Sequence, residues 1–341
     1  MPFYAYVSLQ HDDRIRIFTM DADTGILTQK EDVEVSGGPA ALAIDPGNRH
    51  LYVGRRGTLD IASFRIDQAT GGITQIGSAP LQGEPVAMST DRKGNFILSA
   101  YYYQRTAAVH RIVNGAAVNP AVEWQMTASG AHSIQTDPSN RFAFVPHIAN
   151  RGPNQIYQFK FDENTGHLTS NSPARVEPIE YLGPRHFCFH PSLDTVYFSD
   201  EQGCSVTAYN LDTTSGTLSA FQTISTLPKG FSDDNSCSQI QITADGRFLY
   251  APNRGHNSIA GFSVDPSTGI LTAAGHSATE AVPRAFSLDP QGRFVYAAGQ
   301  QTGNLTSYVI DQITGKLTPS EVYPVGNWPM WVLIAELDRT R

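Results

Sequence analysis

The sequence predicts an all-β fold assembled from seven similar units, and three observations support this. Short runs of Val, Ile, Leu, Phe and Tyr alternate with turn residues, which is typical of strands. Helical periodicity with apolar residues at i, i+3 and i+4 is nowhere sustained. Two turn phrases recur along the whole chain, and their spacing sets the number of units.

The first repeated phrase is a turn in which Thr-Gly or Ser-Gly follows an acidic residue. It is clearest as DADTGILT at Asp21 and DPSTGILT at Asp265, and its third copy is degraded to VNGAAV around Gly115. Successive glycines of the phrase are separated by 46, 44, 51, 50, 53 and 46 residues; they are Gly25, Gly71, Gly115, Gly166, Gly216, Gly269 and Gly315. This spacing predicts seven units.

The second phrase is a turn of the type DPxxRxxY that precedes the first in each unit. Copies include DPSNRFAFV at Asp137 and DPQGRFVYA at Asp289, and HPSLDTVYF replaces the aspartate with His190. Each unit therefore contains four short strands, and four strands in about 40–50 residues predict a β-propeller blade. The arginines that recur in this phrase are expected to stabilise the turn; they are Arg49, Arg141, Arg247 and Arg293.

The two ends of the chain predict how the ring closes. FYAYVSL near the N-terminus resembles a second strand that lacks a first, and NWPMWVLIAEL near the C-terminus resembles a first strand with no blade after it. Together they would complete one blade, which removes open sheet edges. We expect one seven-bladed β-propeller domain over residues 1–341, with four antiparallel strands per blade. A pair of β-sandwiches would not explain seven near-equal periods.

Composition narrows the functional classes. The 341 residues are 40% hydrophobic and 16% charged, with a net charge of −8 and no basic cluster, which argues against a nucleic-acid surface. No apolar run approaches a membrane span, and the start lacks a secretory signal pattern. Three cysteines without a CxxC pair favour a reducing compartment. We expect a cytoplasmic protein, as a monomer or a weak homo-oligomer.

Candidate site residues follow from the propeller geometry. The innermost strands line the central channel, and their starts open on the same face as the ends of the second strands. These positions are rich in charged side chains in units four to seven, where they include His132, Arg185, Glu201, Arg254 and Arg284. Each alone could be an ordinary solvated or paired residue. Together, three arginines against one glutamate predict an anionic ligand.

One hairpin shows the arrangement most clearly. The stretch GPRHFCFHPSLDTVYFSDE, from Gly183 to Glu201, sets Arg185 at the start of one strand and Glu201 at the end of its neighbour. Ends of an antiparallel pair lie side by side, so the two ions are expected to share a site. The same comparison adds His147, Gln300 and Tyr103 as further substrate-binding candidates.

Several motifs of catalysis and cofactor binding are missing from the sequence. It contains no G-x-S-x-G elbow, P-loop, HExxH, or GxGxxG followed by a helix. His132, His147 and Glu201 lack the spacing of a metal site. We therefore expect neither metal nor cofactor. His186 is expected to be a packing residue.

Longer stretches resemble the seven-bladed propeller lactonases, a family that includes bacterial propeller-type 6-phosphogluconolactonases and, more distantly, the fungal carboxy-muconate cyclase. The resemblance covers essentially the whole chain and rests on GAHSIQTDP at Gly130, GPRHFCFHP at Gly183, SDEQGCSV at Ser199, PRAFSLDPQGRFVYAAGQ at Pro283 and GNWPMWV at Gly326. It implies a propeller with an active centre at His132, Arg185, Glu201 and Arg254.

The resemblance implies metal-free hydrolysis of a sugar-acid lactone, with 6-phospho-D-glucono-1,5-lactone as the leading substrate. Arg185 would stabilise the carbonyl oxygen, and Arg254 and Arg284 would hold the anionic group of the substrate. Either Glu201 or His132 would act as general base. A contact between Arg185 and Glu201 would lower the pKa of the glutamate and favour His132.

Two alternatives use the same residues. A carboxy-muconate-type cycloisomerase, or a lactonase for another carboxylated lactone, would need the same pattern of charges. A non-enzymatic propeller that serves as an interaction platform would leave the channel charges without a function, and it predicts an exposed apolar patch. Tyr101 to Tyr103 would be the start of such a patch.

Overall fold

The computed structural model describes residues 1–338, and its regular elements there are 29 β-strands in seven antiparallel sheets. Each sheet is one blade, and the predicted seven-bladed β-propeller is confirmed. No helix of these residues is long and apolar enough to cross a membrane.

Blade 1 joins the two ends of the chain, as the sequence predicted. From the inside outwards it contains β29 (Pro329–Glu336), β1 (Phe3–Leu9), β2 (Arg14–Met20) and β3 (Leu27–Glu34). β29 pairs antiparallel with β1 along the whole length of β1. The ring is thereby closed by main-chain hydrogen bonds, which leave neither terminal strand as a free edge.

The other blades follow in chain order. Blade 2 contains β4 (Pro39–Ile44), β5 (His50–Arg55), β6 (Asp60–Ile66) and β7 (Ile73–Pro80). Blade 3 contains β8 (Pro85–Thr90), β9 (Phe96–Tyr101) and β10 (Thr106–Val113), with an outer edge split into β11 (Ala116–Ala117) and β12 (Glu123–Met126). Blade 4 contains β13 (Gln135–Thr136), β14 (Phe142–His147), β15 (Gln155–Phe161) and β16 (Leu168–Val176). The split edge of blade 3 coincides with the degraded copy of the first turn phrase.

Blades 5 to 7 keep the four-strand plan. Blade 5 contains β17 (Pro184–Phe189), β18 (Thr195–Asp200), β19 (Ser205–Asp212) and β20 (Thr217–Ser225). Blade 6 contains β21 (Gln241–Ile242), β22 (Phe248–Asn253), β23 (Ser258–Val264) and β24 (Leu271–Ala278). Blade 7 contains β25 (Pro283–Leu288), β26 (Phe294–Gly299), β27 (Asn304–Ile310) and β28 (Leu317–Pro324).

The DPxxRxxY phrase forms a turn that its first residue holds together. Oδ1 of Asp137 accepts hydrogen bonds from the backbone N–H groups of Arg141 and Phe142, both at 2.8 Å. In blade 5 His190 replaces the aspartate, and its Nδ1 accepts hydrogen bonds from the backbone N–H groups of Ser192 and Leu193. The guanidinium of Arg141 lies over the Phe142 ring, 5.4 Å from its centroid, and this supports the expected structural role of that arginine.

The Thr-Gly turns of each blade pack against the neighbouring blade. Gly25 has φ +71°, and a Cβ there would come within 2.5 Å of the Phe294 ring, so only glycine fits. The backbone carbonyl of Gly25 accepts a hydrogen bond of 2.7 Å from the buried hydroxyl of Tyr296. Equivalent bonds run from Tyr6 to Gly71 and from Tyr250 to Gly315, each towards the next blade.

The apolar core follows the same geometry. Within residues 1–338 it forms seven clusters, and each cluster combines side chains of two neighbouring blades. Because no cluster fills the axis itself, the centre of the ring is left to the side chains at the starts of the inner strands. Those side chains form the candidate site.

Candidate active site

A β-bulge at the start of several inner strands turns one side chain towards the axis. In blade 5 the register passes from Pro184 opposite Asp200 to His186 opposite Ser199, which leaves Arg185 as an extra residue. Arg284 is the extra residue at the corresponding point of blade 7. Bulges redirect side chains and are common beside active sites. Both arginines line the central cavity.

Side chains from all seven blades line this cavity, and its polar members are Arg56, His132, Arg185, His186, Gln239 and Arg284. The room between the side chains is about 10 Å³, which is close to what one water molecule needs. A sugar ring must therefore lie at the mouth, and only a small polar group of a ligand can reach between the side chains.

A second ring of positions lies at the ends of the second strands. At each, a backbone N–H donates to a carbonyl just before the inner strand: Glu201 to Gly183 at 2.7 Å, and Arg254 to Ser236 at 3.0 Å. Arg56 makes the same bond to Gly38, at 3.0 Å. These bonds fix the three charged residues at equivalent points around the channel.

Glu201 is held between two arginines. Nε of Arg185 donates to Oε2 of Glu201 at 2.6 Å, and Nη2 of Arg254 lies 3.2 Å from Oε1. Burial alone would raise the pKa of Glu201, but the charges of Arg185 and Arg254 lower it below its usual value. Glu201 is therefore a carboxylate at neutral pH. The predicted Arg185–Glu201 contact is present.

Arg185 is almost fully buried, with 2% of its surface exposed. Burial and the nearby charge of Arg254 lower its pKa to about 10, so the side chain stays charged at neutral pH. Its Nη1 is buried and forms no hydrogen bond with any residue of the described range 1–338. That group can donate to a ligand oxygen that enters the cavity.

His132 lies beside this arginine and is also buried. Its ring is 5.3 Å from that of His186 and 6.2 Å from that of Tyr102, measured between centroids. Burial, followed by the positive charge of Arg185, lowers the pKa of His132 well below the ordinary value. The imidazole is therefore neutral at physiological pH. Its Nδ1 has no hydrogen-bond partner among residues 1–338.

The other predicted residues divide into two groups. Arg284 lines the cavity, and Gln300 lies next to it with Nε2 3.2 Å from Sδ of Met330, a lining residue. His147 and Tyr103 are not among the residues that line the cavity, and their substrate-binding roles stay predictions. His147 is fully buried in blade 4, where Nδ1 donates to the carbonyl of Val145 and Nε2 accepts the N–H of Ala128. Tyr103 is 66% exposed.

Each of the two residues lies one position away from the equivalent of Glu201. His147 bridges to Ala131, so it corresponds to Asp200, which pairs with Pro184, and not to Glu201. In blade 3 the residue that corresponds to Glu201 is Tyr102. Successive strand residues point to opposite sides, so a shift of one position removes a side chain from the channel.

Three further polar residues line the cavity and were not selected as site residues from the sequence: Arg56, His186 and Gln239. His186, which was expected to be a packing residue, follows the bulged Arg185 and faces the same space. Arg56 occupies the position of Glu201 and Arg254 in blade 2, so the repeat alignment contained the signal that could have identified it. No group of three or more His, Cys, Asp or Glu residues in the described range 1–338 is arranged to hold a metal ion.

The fold and this arginine-rich channel define a class of protein. The family described as "Lactonase, 7-bladed beta-propeller" matches residues 4–334. The chain therefore belongs to the seven-bladed β-propeller lactonases, as its resemblance implied.

Three individual proteins are similar to this chain over nearly its whole length. The 6-phosphogluconolactonase of Pectobacterium carotovorum subsp. carotovorum (strain PC1) is 36% identical over 333 residues, which cover 98% of each chain. That of Enterobacter sp. (strain 638) is 34% identical over 329 residues, covering 96% of this chain and 98% of the relative. The periplasmic gluconolactonase of Pseudomonas aeruginosa has a TM-score of 0.91 at 23% identity, over 99% of this chain and 100% of that one. This last likeness concerns the fold.

Proposed function

We propose that the protein hydrolyses 6-phospho-D-glucono-1,5-lactone to 6-phosphogluconate at the mouth of its central channel. The observation that carries the proposal is the buried Nη1 of Arg185 in the same cavity as a neutral His132. Relatives that are 34% and 36% identical over nearly the whole chain bear the name 6-phosphogluconolactonase, and this supports the choice of lactone.

The reaction needs a base for water and a positive group for the carbonyl oxygen. His132 accepts a proton from the attacking water as its oxygen bonds to C1 of the lactone. Nη1 of Arg185 donates to the carbonyl oxygen, which becomes negatively charged in the tetrahedral intermediate. The C1–O5 bond then breaks, His132 returns the proton to O5, and C1 becomes the carboxylic acid, which ionises.

Glu201 has a different role in this mechanism. Both carboxylate oxygens of Glu201 are bound by arginines, so they are not free to accept a proton from water, whereas Nδ1 of His132 has no hydrogen-bond partner among residues 1–338. The contact of Glu201 with Nε of Arg185 orients the guanidinium, so that Nη1 is directed to the substrate. We therefore assign Glu201 to positioning Arg185, and His132 to proton transfer.

The protein is proposed to act in the cytoplasm. Its three cysteines, Cys188, Cys204 and Cys237, are free thiols, which is consistent with a reducing compartment.

Proton release over a panel of lactones tests the proposed function. The panel contains 6-phosphoglucono-1,5-lactone, glucono-1,5-lactone and a carboxylated muconolactone, with wild type beside Arg185→Ala. We expect the phosphorylated lactone to be the preferred substrate and kcat to fall by about 10²–10³-fold in Arg185→Ala. Absence of lactone hydrolysis by the wild type would overturn the function. Undiminished kcat in Arg185→Ala would overturn the role of that residue.

A further inference from the structure

We infer that Arg56 and Arg284 form a subsite for the phosphate of the substrate, beside the group formed by Arg185, Glu201 and Arg254. The inference rests on the proposed function and deepens it. It assigns a binding role to Arg56, and it transfers the anion-binding role expected of Arg254 to Arg56.

Positive charge is unevenly compensated around the channel. Arg185 and Arg254 both contact Glu201, so their charges are partly neutralised. Within residues 1–338, neither Arg56 nor Arg284 has a carboxylate oxygen within ion-pair distance, although Glu84 is near enough to Arg56 to influence it. Among residues 1–338, Arg185 and Arg254 therefore share one carboxylate, whereas Arg56 and Arg284 lack a directly paired one.

Arg56 and Arg284 are both partly shielded from water. Nε of Arg56 is buried and has no hydrogen-bond partner among the described residues 1–338. Burial lowers the pKa of Arg284, and the charges of Arg185 and Arg254 lower it further. Both side chains are partly exposed, so a ligand at the mouth can reach them, and a guanidinium with a buried, unpartnered N–H is stabilised by a ligand that supplies the opposite charge. Both side chains line the central cavity.

The order of the blades places the two groups of residues on different parts of the ring. The reacting group belongs to consecutive blades: His132 to blade 4, Arg185 and Glu201 to blade 5, and Arg254 to blade 6. Arg284 belongs to blade 7 and Arg56 to blade 2, so these two flank blade 1 on the other side of the ring. A substrate that lies across the mouth can place C1 at one side and the group on C6 at the other.

The chemistry favours phosphate at this second position. A phosphate monoester carries close to two negative charges, and its three terminal oxygens can accept hydrogen bonds from two guanidinium groups at once. Arg254 has fewer free N–H donors for a phosphate, because its Nη2 also donates to the carbonyl of Cys237 at 2.9 Å. We therefore describe Arg254 as a residue that positions Glu201.

The test compares two lactones that differ in the phosphate alone. Initial rates of proton release on 6-phosphoglucono-1,5-lactone and glucono-1,5-lactone give the ratio of the two kcat/KM values. We expect Arg56→Gln to lower this ratio by about 10- to 100-fold, chiefly through KM for the phosphorylated lactone. Arg56→Lys should give an intermediate ratio, because it keeps the charge but loses the fork of donors. Arg65→Gln removes an exposed positive charge from the same blade and should leave the ratio unchanged.

Binding of inorganic phosphate, measured by calorimetry, provides a readout that does not require turnover. We expect wild type and Arg65→Gln to bind phosphate and Arg56→Gln to bind it at least 10-fold more weakly. An unchanged lactone ratio in Arg56→Gln, or equal phosphate binding by the folded variants, overturns the subsite. Absence of lactone hydrolysis together with phosphate binding that depends on Arg56 would overturn the proposed function and leave the subsite standing.

Discussion

Arg185 and Glu201 meet across the first antiparallel pair of blade 5, where Nε of the arginine lies 2.6 Å from Oε2 of the glutamate. The bulge at the start of β17 makes this contact possible, because it turns Arg185 out of the regular alternation and towards the axis. The pair is shielded from water, with 2% and 15% of the two side chains exposed. Removal of either partner would therefore leave a buried charge without its counter-ion.

Replacing the carboxylate tests the contribution to stability. Glu201→Gln keeps the shape of the side chain but leaves the buried charge of Arg185 without its counter-ion. We expect the free energy of unfolding to fall by about 3–5 kcal/mol. Urea denaturation followed by circular dichroism measures it. Glu177→Gln is the control, because its partner Arg175 is 50% exposed, and it should cost less than about 1 kcal/mol. Equal effects of the two changes would contradict a buried ion pair.

The pH dependence of kcat tests whether His132 acts with a depressed pKa. His132 acts in its neutral form, and burial together with Arg185 holds its pKa well below the ordinary histidine value. The rate should therefore remain constant between about pH 6 and 8 and fall only when the pH drops through the depressed pKa. Initial rates in a pH-stat, corrected for spontaneous hydrolysis, measure this. A decline centred near pH 6.5 that disappears in His132→Gln would exclude the depressed pKa.

The sequence predicted the blades more completely than the site. The glycine spacing and the terminal strands identified seven blades and their closure, because Gly25 and its equivalents are needed wherever one blade packs on the next. Comparison of equivalent positions likewise singled out Arg185 and Arg284, because these two arginines lie outside the repeated turn phrases that build the blades. It was less reliable at strand ends, where His147 was chosen although the equivalent of Glu201 is the residue after it.

The sequence did not predict which arginine contacts Glu201 and which is free to bind substrate. Arg56, Arg254 and Arg284 all stand at strand ends facing one channel, and the sequence does not show which of them approaches Glu201. That depends on distances between blades: Arg254 reaches Oε1 from the adjacent blade, whereas Arg56 lies on blade 2. The difference between an arginine that positions a carboxylate and one that binds substrate is therefore a property of the closed ring.

Asp200, the neighbour of Glu201, is expected to make the stability of the protein depend on pH. Its side chain is buried, and Oδ2 accepts hydrogen bonds of 2.7 Å from the hydroxyls of Ser205 and Thr207. Burial raises its pKa to about 7 in spite of these bonds, whereas in the unfolded chain it is close to 3.8. Between about pH 4 and 7 the folded state thus retains a proton that the unfolded state releases, so this group lowers stability as pH rises.

Asp200→Asn removes this titration while keeping the size of the side chain and one acceptor oxygen. We expect the stability of the variant relative to wild type to increase between about pH 4 and 7, by at most about 1.4 kcal/mol per pH unit, and then to level off. Urea denaturation of both proteins at several pH values measures the difference, in which the buried histidines common to both cancel. Asp265→Asn is the control: hydrogen bonds from Ser267 and Thr268 lower the pKa of Asp265 to about 2, so its effect should be constant above pH 5. A constant difference for Asp200→Asn over the same range would mean that Asp200 is ionised in the folded protein.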